Sequence, residues 1–247
     1  MSAGAAVREG HLLGGRVRHD QALAGHRTGI EPVLLAASIP ARAGARILEG
    51  GSGAGAALLC LAFRVPGIEG VGVERDPALA ALAAANADAN GFGGLRFMAG
   101  ALGEVTPEGV FDHAMANPPW HAADGTASPD GGREAAKRAE AGLFGAWARA
   151  LARPLRHRGT LTLVIAASVV PDCLAALGDA GCGSPALLPL WPKAGWAAKL
   201  ALLRGVKGGR GPFRLLPGLV LHGDDGRYTP EAAAILFDSA PLLLQKE

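Results

Sequence analysis

The sequence predicts an α/β protein with a doubly wound, mostly parallel sheet, helices on both faces and an antiparallel addition near the C-terminus. Three observations lead to this prediction. Short apolar runs alternate with segments of helical period along most of the 247 residues, as in parallel sheets whose strands are joined by helices. A glycine-rich loop at residues 50–55 follows the first of these strands at once. The last strands are joined by a short link containing Pro192 and Gly195 instead of a helix.

The elements follow in chain order. Residues 1–11 lack periodicity and are expected to form a loose tail, and residues 12–24 fit a hairpin that turns at Gly14-Gly15. Pro32 suits the first turn of a helix over the apolar run 33–37. Strands are then expected at 46–49, 68–73, 95–99, 110–115, 160–166, 185–191, 198–204 and 215–222, and helices at 56–63, 77–90, 134–155, 171–177 and 230–237. We therefore divide the chain into an N-terminal tail, hairpin and first helix (1–38) and one doubly wound domain (39–247).

Composition excludes several classes of protein. The net charge of +2 is too small by itself to indicate nucleic-acid binding, although basic residues concentrate in segments 133–158 and 193–214. Cys60, Cys173 and Cys182 are an odd, widely spaced set, which predicts thiols in a reducing compartment. The histidines form no cluster with ligand spacing, so no metal is expected. The apolar runs are too short to span a membrane and no secretory signal is visible, which predicts a cytoplasmic protein. Monomer and dimer are equally compatible with these runs.

A strand that leads directly into glycines has the layout of a nucleotide-binding turn. Glu49 ends the strand, and Gly51, Gly53 and Gly55 let the backbone turn sharply and a ligand approach closely. Glu74 ends the next strand about 20 residues on, where a carboxylate accepts hydrogen bonds from both ribose hydroxyls. The glycine spacing differs from the dinucleotide pattern, and an acid before the loop suits a cationic ligand with an amino-acid part. S-adenosylmethionine fits that description.

The motif Asn117-Pro118-Pro119-Trp120 follows the apolar run 110–115. Its prolines lack N–H donors, so the strand ends there. The Asn117 amide oxygen and the Pro118 carbonyl can accept hydrogen bonds from an amino group, and Trp120 can stack on the planar ring that carries it. The motif predicts a site for a planar amine; the alternative is a strand-ending turn with a core tryptophan.

Together, the glycine loop and this motif make the chain resemble class I S-adenosylmethionine-dependent methyltransferases of the Asn-Pro-Pro-aromatic type. Within that group it is similar to the bacterial tRNA adenine-N6 methyltransferases that act on position 37 of a valine tRNA. This narrower resemblance is carried by the opening Gly14-Gly15-Arg16-Val17, by Arg27, Gly29 and Glu31, and by the ending Leu219-Val220-Leu221-His222 with Tyr228-Thr229.

The resemblance implies a Rossmann-like, seven-stranded sheet and methyl transfer to N6 of adenine in RNA, a tRNA anticodon-loop adenosine first of all. It implies that Glu49 and the loop glycines hold the methionine part of the cofactor and Glu74 its ribose. It also assigns catalytic roles to Asn117, Pro118 and Trp120, and substrate contacts to Pro119 and Arg27.

The chain departs from the family pattern at two places. An Asp near the cofactor's adenine is replaced by Gly100-Ala101-Leu102, so adenine recognition is expected to use backbone groups and apolar contacts. Trp120 stands where Tyr is common, which keeps stacking and loses the hydroxyl. His113 and His121 flank the motif, but the chemistry requires neither as a base. Residues 121–133 are long enough for a lid over the site.

Other readings remain open at this point. The same motif serves methylation of protein glutamine, ribosomal RNA guanine and DNA adenine. We expect an additional helical domain for the first, a duplicated domain for the second and a recognition insert for the third, and the sequence suggests none of these. A non-catalytic RNA-binding protein with this fold is the alternative outside enzymes. A dehydrogenase is disfavoured by the glycine spacing.

Overall fold

The computed structural model describes residues 7–23, 27–105, 107–118 and 131–244, with only the helical backbone described for 131–141. The strands are β1 (Val7–Arg8), β2 (His11–Leu12), β3 (Val17–Arg18), β4 (Gln21–Ala22), β5 (Arg46–Gly50), β6 (Glu69–Glu74), β7 (Leu95–Ala99), β8 (Phe111–Ala116), β9 (Leu155–Ala166), β10 (Cys182–Lys193), β11 (Leu200–Lys207), β12 (Arg214–Leu215) and β13 (Leu219–His222). The helices are α1 (Glu31–Ser38), α2 (Ala56–Arg64), α3 (Pro77–Ala89), α4 (Gly131–Ala152), α5 (Val170–Asp179) and α6 (Pro230–Asp238).

The central sheet has the predicted α/β, mostly parallel architecture. Its seven long strands lie in the order β7-β6-β5-β8-β9-β11-β10. The first five are parallel, and β11 runs antiparallel to both β9 and β10. The short strands β12 and β13 both pair with β10 in parallel and extend the sheet at that edge. The seven-stranded prediction is therefore confirmed, with two short additions.

The continuous strand predicted at 215–222 is wrong, because the chain leaves the sheet between β12 and β13. Pro217 has no N–H donor for a ladder. Gly218 has a φ of +90°, and a Cβ there would lie 2.6 Å from the Pro189 carbonyl oxygen. The helix predicted at 134–155 also differs: α4 begins at Gly131, and Leu155 already belongs to β9.

The N-terminal segment is a hairpin docked on the domain. β1 pairs with β4 and β2 with β3, both antiparallel, so the loose tail predicted for 1–11 is wrong from Val7 onward, while residues 1–6 lie outside the described chain. The Asn86 side chain exchanges hydrogen bonds of 2.9 and 3.0 Å with the backbone of Asp20. Asn90, one turn further along α3, does the same with the backbone of Arg18, at 2.9 and 2.8 Å. Two amide side chains thus fix the hairpin to α3.

Apolar residues fill both faces of the sheet. Helices α1, α2 and α6 pack on one face, and α4 and α5 on the other. The C-terminus of α1 is held by two guanidinium groups: Arg64 donates to the carbonyls of Ala36 and Ile39, and Arg204 donates to the carbonyl of Ser38. Positive groups are favoured at this end of a helix, where the carbonyls lack partners. α1 is therefore tied to α2 and β11.

The three cysteines are thiols buried in the core, as predicted. In the ranges that the structure describes, no helix is both long and apolar enough to cross a bilayer. The division of the chain at residue 38 stays a prediction.

Candidate functional site

The strand register brings the predicted site segments to one edge of the sheet. Gly50 at the end of β5 lies opposite Ala116 of β8 on one side and Val73 of β6 on the other. Because the three strands are parallel, the residues that follow them leave from their shared carboxyl edge. The glycine loop, Glu74 and Asn117 therefore meet there.

The glycine loop turns back over the ends of these strands. Gly51, Gly53 and Gly55 have φ values of +64°, +53° and +90°, a region that glycine enters without strain. The loop is anchored to β6 by hydrogen bonds from the N–H groups of Gly51 and Ser52 to the Val73 carbonyl, at 2.8 and 3.2 Å. A Cβ at Gly51 would lie 2.7 Å from the Trp147 ring. The loop thus forms a cradle that admits no side chain at Gly51.

Glu49 is a carboxyl group buried beneath this loop. It is 4% exposed and accepts a 3.3 Å hydrogen bond from the N–H of Leu58. Burial raises the pKa of Glu49 well above its ordinary value, and the nearby charge of Glu74 raises it further. A buried carboxyl group with a raised pKa is suited to receive a cationic group, which would restore its ionised form.

Glu74 is held in a fixed orientation at the end of β6. One carboxylate oxygen accepts a hydrogen bond from the Gly53 N–H and the other from the Asp76 N–H, both at 2.9 Å. A carboxylate has about four lone-pair sites, so each oxygen keeps acceptor capacity. Glu74 also lines the larger cavity described below.

Asn117 and Pro118 follow β8, with Pro118 buried and Asn117 partly buried. The Asn117 Oδ1 atom is buried and accepts no hydrogen bond from the described residues. Such acceptors are rare in folded proteins, and each calls for an explanation such as a bound water, local strain or a catalytic role. Pro119, Trp120 and His121 lie outside the described residues, as does most of the predicted lid; its last residues, 131–133, begin α4.

Two cavities open at this edge and share Glu31, Gly51 and Asn117. The larger has a volume of about 640 Å³. Its other lining residues are Val73, Glu74, Arg75, Gly100, Ala101, Leu102, Pro118, Leu143, Ala146 and Trp147. The smaller is about 240 Å³. Its other lining residues are Gln21, Ala22, Thr28, Gly29, Pro32, Glu49, Ser52, Gly53, Ala54, Ala56, Ala57 and Leu79. Gly55 is the N-cap residue of α2 and is not among the lining residues of either cavity.

Ala101 and Leu102 line the larger cavity, and the expectation that apolar contacts replace the missing Asp stays a prediction. Arg27 is exposed and lines neither cavity. Sequence reasoning missed Leu143 and Trp147 of α4. Their spacing of one helical turn indicates a shared face, but it does not show what that face covers.

His113 lies within β8 and away from the cavities. Its Nδ1 is 2.8 Å from Thr160 Oγ1, and burial, with a smaller effect from Arg204, lowers the pKa of His113 to about 4. This histidine is part of the core, in keeping with the view that the chemistry does not require it. Within the described ranges, no group of three or more His, Cys, Asp or Glu side chains is arranged to hold a metal ion.

Comparison with solved structures places the fold among methyltransferases. A predicted O-methyltransferase from Agrobacterium tumefaciens has a TM-score of 0.72 at 22% identity, covering 86% of this chain and 98% of that one. The 16S rRNA N2 G1207 methyltransferase RsmC from Thermus thermophilus, solved with AdoMet and guanosine, gives 0.53 at 23% identity over 82% of this chain and 50% of its own. TrmN from Thermus thermophilus gives 0.51 at 20% identity over 71% and 48%. This chain therefore spans about half the length of RsmC and TrmN.

No curated protein sequence matches the chain significantly. Residues 30–169, more than half of the chain, match the methyltransferase small domain family. The matched region runs from α1 through the glycine loop, Glu74 and Asn117 to the end of β9, and so contains the cradle and both carboxyl groups. The chain therefore belongs to the methyltransferase small domain family and is an S-adenosylmethionine-dependent methyltransferase.

Proposed function

We propose that this enzyme methylates the exocyclic N6 amino group of an adenosine in RNA, with a tRNA anticodon-loop adenosine as the first candidate. The observation that carries the proposal is the buried Asn117 Oδ1 atom, which has no hydrogen-bond partner among the described residues. It lies where the glycine loop and both cavities meet. An acceptor in this position calls for a donor on the substrate, and an aromatic amino group supplies one.

The described residues fit the cofactor in two parts. The smaller cavity, with Glu49 beneath the glycine loop, suits the positively charged amino-acid end. The larger cavity suits the nucleoside, with Glu74 at the ribose and Ala101 and Leu102 against the base. When bound, S-adenosylmethionine supplies an electrophilic methyl group attached to a sulfonium.

The protein's part in the chemistry is to hold the amine. The lone pair of an aromatic amine is delocalised into the ring, which makes the nitrogen a poor nucleophile. Asn117 Oδ1 and the Pro118 carbonyl would accept its two N–H bonds and favour a pyramidal nitrogen. The amine proton is lost to solvent after the new bond forms, so no strong base is needed. Alignment of this kind can supply effective molarities of roughly 10⁵ M or more.

A nucleotide in a single-stranded loop is the preferred target because the amine must be presented outside a base stack. Enzymes that act on a base take it from a single-stranded loop or flip it out of a duplex. Trp120 of the motif would then stack on it, which contributes about 1–3 kcal/mol per base. RsmC, a protein with this fold, is a 16S rRNA methyltransferase. TrmN shares the fold as well. The choice of tRNA and of N6 comes from the resemblance of the chain's opening and ending.

The test is methyl transfer from labelled S-adenosylmethionine to total tRNA from a strain lacking the gene, followed by nucleoside mass spectrometry. Asn117→Leu keeps the size of the side chain and removes the acceptor. We expect transfer to fall by about 10²–10³-fold, the usual effect of removing one positioned hydrogen-bonding group in a catalytic site. Asn117→Asp, which keeps an acceptor oxygen, should retain more activity. Calorimetry would establish that both variants still bind the cofactor.

The outcomes separate the alternatives. N6-methyladenosine in tRNA that disappears in Asn117→Leu supports the proposal. Label in ribosomal RNA guanine, DNA or protein glutamine would keep the enzyme class and refute the substrate. Cofactor binding without transfer to any of these would favour the non-catalytic RNA-binding alternative.

A further inference from the structure

Charge is distributed unevenly along this chain. Residues 180–223 contain six Lys and Arg residues and no Asp or Glu. The other 18 Lys and Arg residues stand against all 22 carboxylates, so the rest of the chain carries a net charge of −4. The positive segment is β10, β11, β12, β13 and their connections, the antiparallel side of the sheet. Arg204 is buried, so five of the six charges stand at least partly at the surface. An excess of positive charge on one part of a fold favours contact with nucleic acid.

The turn between β10 and β11 projects past the catalytic edge. Ala116, the last residue of β8, lies opposite Leu163 of β9, and β9 continues for three residues to Ala166. At about 3.3 Å per residue, this end stands roughly 10 Å beyond Ala116. Leu200 of β11 lies opposite Ala166, and the turn to β10 extends further in the same direction. Two strands separate β8 from β10, which is a lateral distance of about 14 Å.

An exposed tryptophan lies in this turn between two lysines. Trp196 is 62% exposed, Lys199 is exposed and Lys193 is partly exposed. The neighbouring strand β13 ends at the same level, since His222 lies opposite Lys193. Isolated surface hydrophobic groups are common. A tryptophan flanked by two lysines, in a segment without acids and beside the catalytic edge, indicates a binding surface more specifically than an isolated apolar residue does.

The carboxylates next to the turn form no salt bridge with these lysines in the part of the chain that the structure describes. Asp224 and Asp225 follow β13, and Arg227 lies 3.9 Å from Asp225. Lys193 Nζ donates to the backbone carbonyl of Asp224, at 3.4 Å, and not to its carboxylate. Among the salt bridges of the described residues, neither Lys193 nor Lys199 has a partner. Both ammonium groups therefore keep their charge available to a ligand.

We propose that Lys193, Trp196 and Lys199 form a binding surface for single-stranded RNA next to the target nucleotide, and this rests on the proposed RNA substrate. Trp196 stacks on an unpaired base, and the two lysines contact phosphates on either side of it. Every base has a π face, so stacking tolerates different sequences, while the phosphate contacts supply affinity and orientation. The surface would hold the flanking strand about 14 Å to the side of β8 while the target adenosine enters the site.

The experiment measures binding of a fluorescent RNA hairpin, with an adenosine-containing single-stranded loop, by anisotropy without cofactor. Trp196→Ala should weaken binding roughly 5- to 150-fold, the range expected for one lost base stack, while Trp196→Phe should retain most of the affinity. Lys193→Gln with Lys199→Gln should lower the salt dependence of binding, by about 0.7 per phosphate contact. Arg210→Gln is the matched control. Arg210 is an exposed cation of the same segment, and it follows the end of β11 that points away from the catalytic edge.

A rise in KM for RNA with kcat and cofactor affinity unchanged supports the surface. Unchanged RNA affinity in Trp196→Ala, with methylation of RNA by the wild type intact, refutes the surface and leaves the proposed function standing. Equal losses in Arg210→Gln and in the lysine variants would refute the location, since they indicate a general charge effect. Loss of self-association in Trp196→Ala, measured by sedimentation, would assign the turn to a contact between copies. If the wild-type enzyme methylates no RNA, the proposed function itself is refuted.

Discussion

Glu49→Gln tests how the site binds a cation. The substitution keeps the shape of the side chain and an acceptor for the Leu58 N–H, and it removes the charge. A hydrogen bond to a charged group contributes about 1.5–3 kcal/mol. We therefore expect the Kd for S-adenosylmethionine to rise roughly 10- to 150-fold. Isothermal titration calorimetry measures this directly.

The same variant should change the pH dependence of binding. Burial raises the pKa of Glu49 above its ordinary value of 4.5, so below that raised pKa the free protein binds a proton that a cationic ligand displaces. Wild-type affinity should rise with pH until the raised pKa is passed, with proton release visible in buffers of different ionisation enthalpy. Because the folded pKa is above the unfolded one, the ligand-free protein loses stability as pH rises from about 4.5 through the raised value. Glu49→Gln should remove both effects.

Glu108→Gln is the matched control, since Glu108 is exposed and carries the same charge change outside both cavities. It should bind the cofactor like the wild type. Wild-type affinity and unchanged proton release in Glu49→Gln would refute the assignment of Glu49 to the cofactor's cationic end.

Three further variants test how the site is supported. Gly51→Ala should abolish cofactor binding in calorimetry, because φ is +64° and the new Cβ would lie 2.7 Å from the Trp147 ring. Arg204→Met should lower the free energy of unfolding in urea by about 1–3 kcal/mol, since it leaves the buried Ser38 carbonyl without its donor. Asn86→Ala removes three hydrogen bonds, two to the hairpin and one to the Ala54 carbonyl. It should speed hydrogen exchange of the hairpin amides more than that of the sheet.

Two of these variants have a control of the same kind. Gly93→Ala meets no atom within 4 Å and has no positive φ, so it should bind the cofactor normally. Arg210→Met removes an exposed cation and should leave stability within about 0.5 kcal/mol. Wild-type stability of Arg204→Met would mean that relief from burying a guanidinium offsets its hydrogen bonds. Equal exchange rates in wild type and Asn86→Ala would show that other contacts hold the hairpin.

Local signals explain what the sequence predicted correctly. Strand β5, the glycine loop and the start of α3 at Pro77 are each determined by residues that are neighbours in the sequence. The parallel direction of the strands then follows from the alternation of strands and helices, and parallel strands bring the residues at their carboxyl ends, Glu74 and Asn117, to one edge. The number of residues between Glu74 and Asn117 does not by itself show that the two side chains meet.

The features that sequence analysis missed depend on contacts between distant segments. Asn86 and Asn90 look like polar positions on a helix, and only the folded chain shows that they bind the backbone of Asp20 and Arg18, 66 and 72 residues away. Trp147 looks like one more apolar position of α4. The pair Pro217-Gly218 is a local signal for a break in the strand. The apolar residues on both sides of this pair led instead to the prediction of one continuous strand.

The replaced Asp bears on how the enzyme selects its cofactor. Ala101 and Leu102 offer the larger cavity no side-chain acceptor, so they favour any flat apolar ring over water and discriminate little between nucleosides. We infer that selectivity comes from the two carboxyl groups instead, Glu74 toward the ribose and Glu49 toward the positive charge. A ligand with a ribose and no cation would then satisfy one of them and leave Glu49 without a cationic partner. Adenosine should therefore bind both wild type and Glu49→Gln with similar affinity, whereas S-adenosylmethionine should distinguish them.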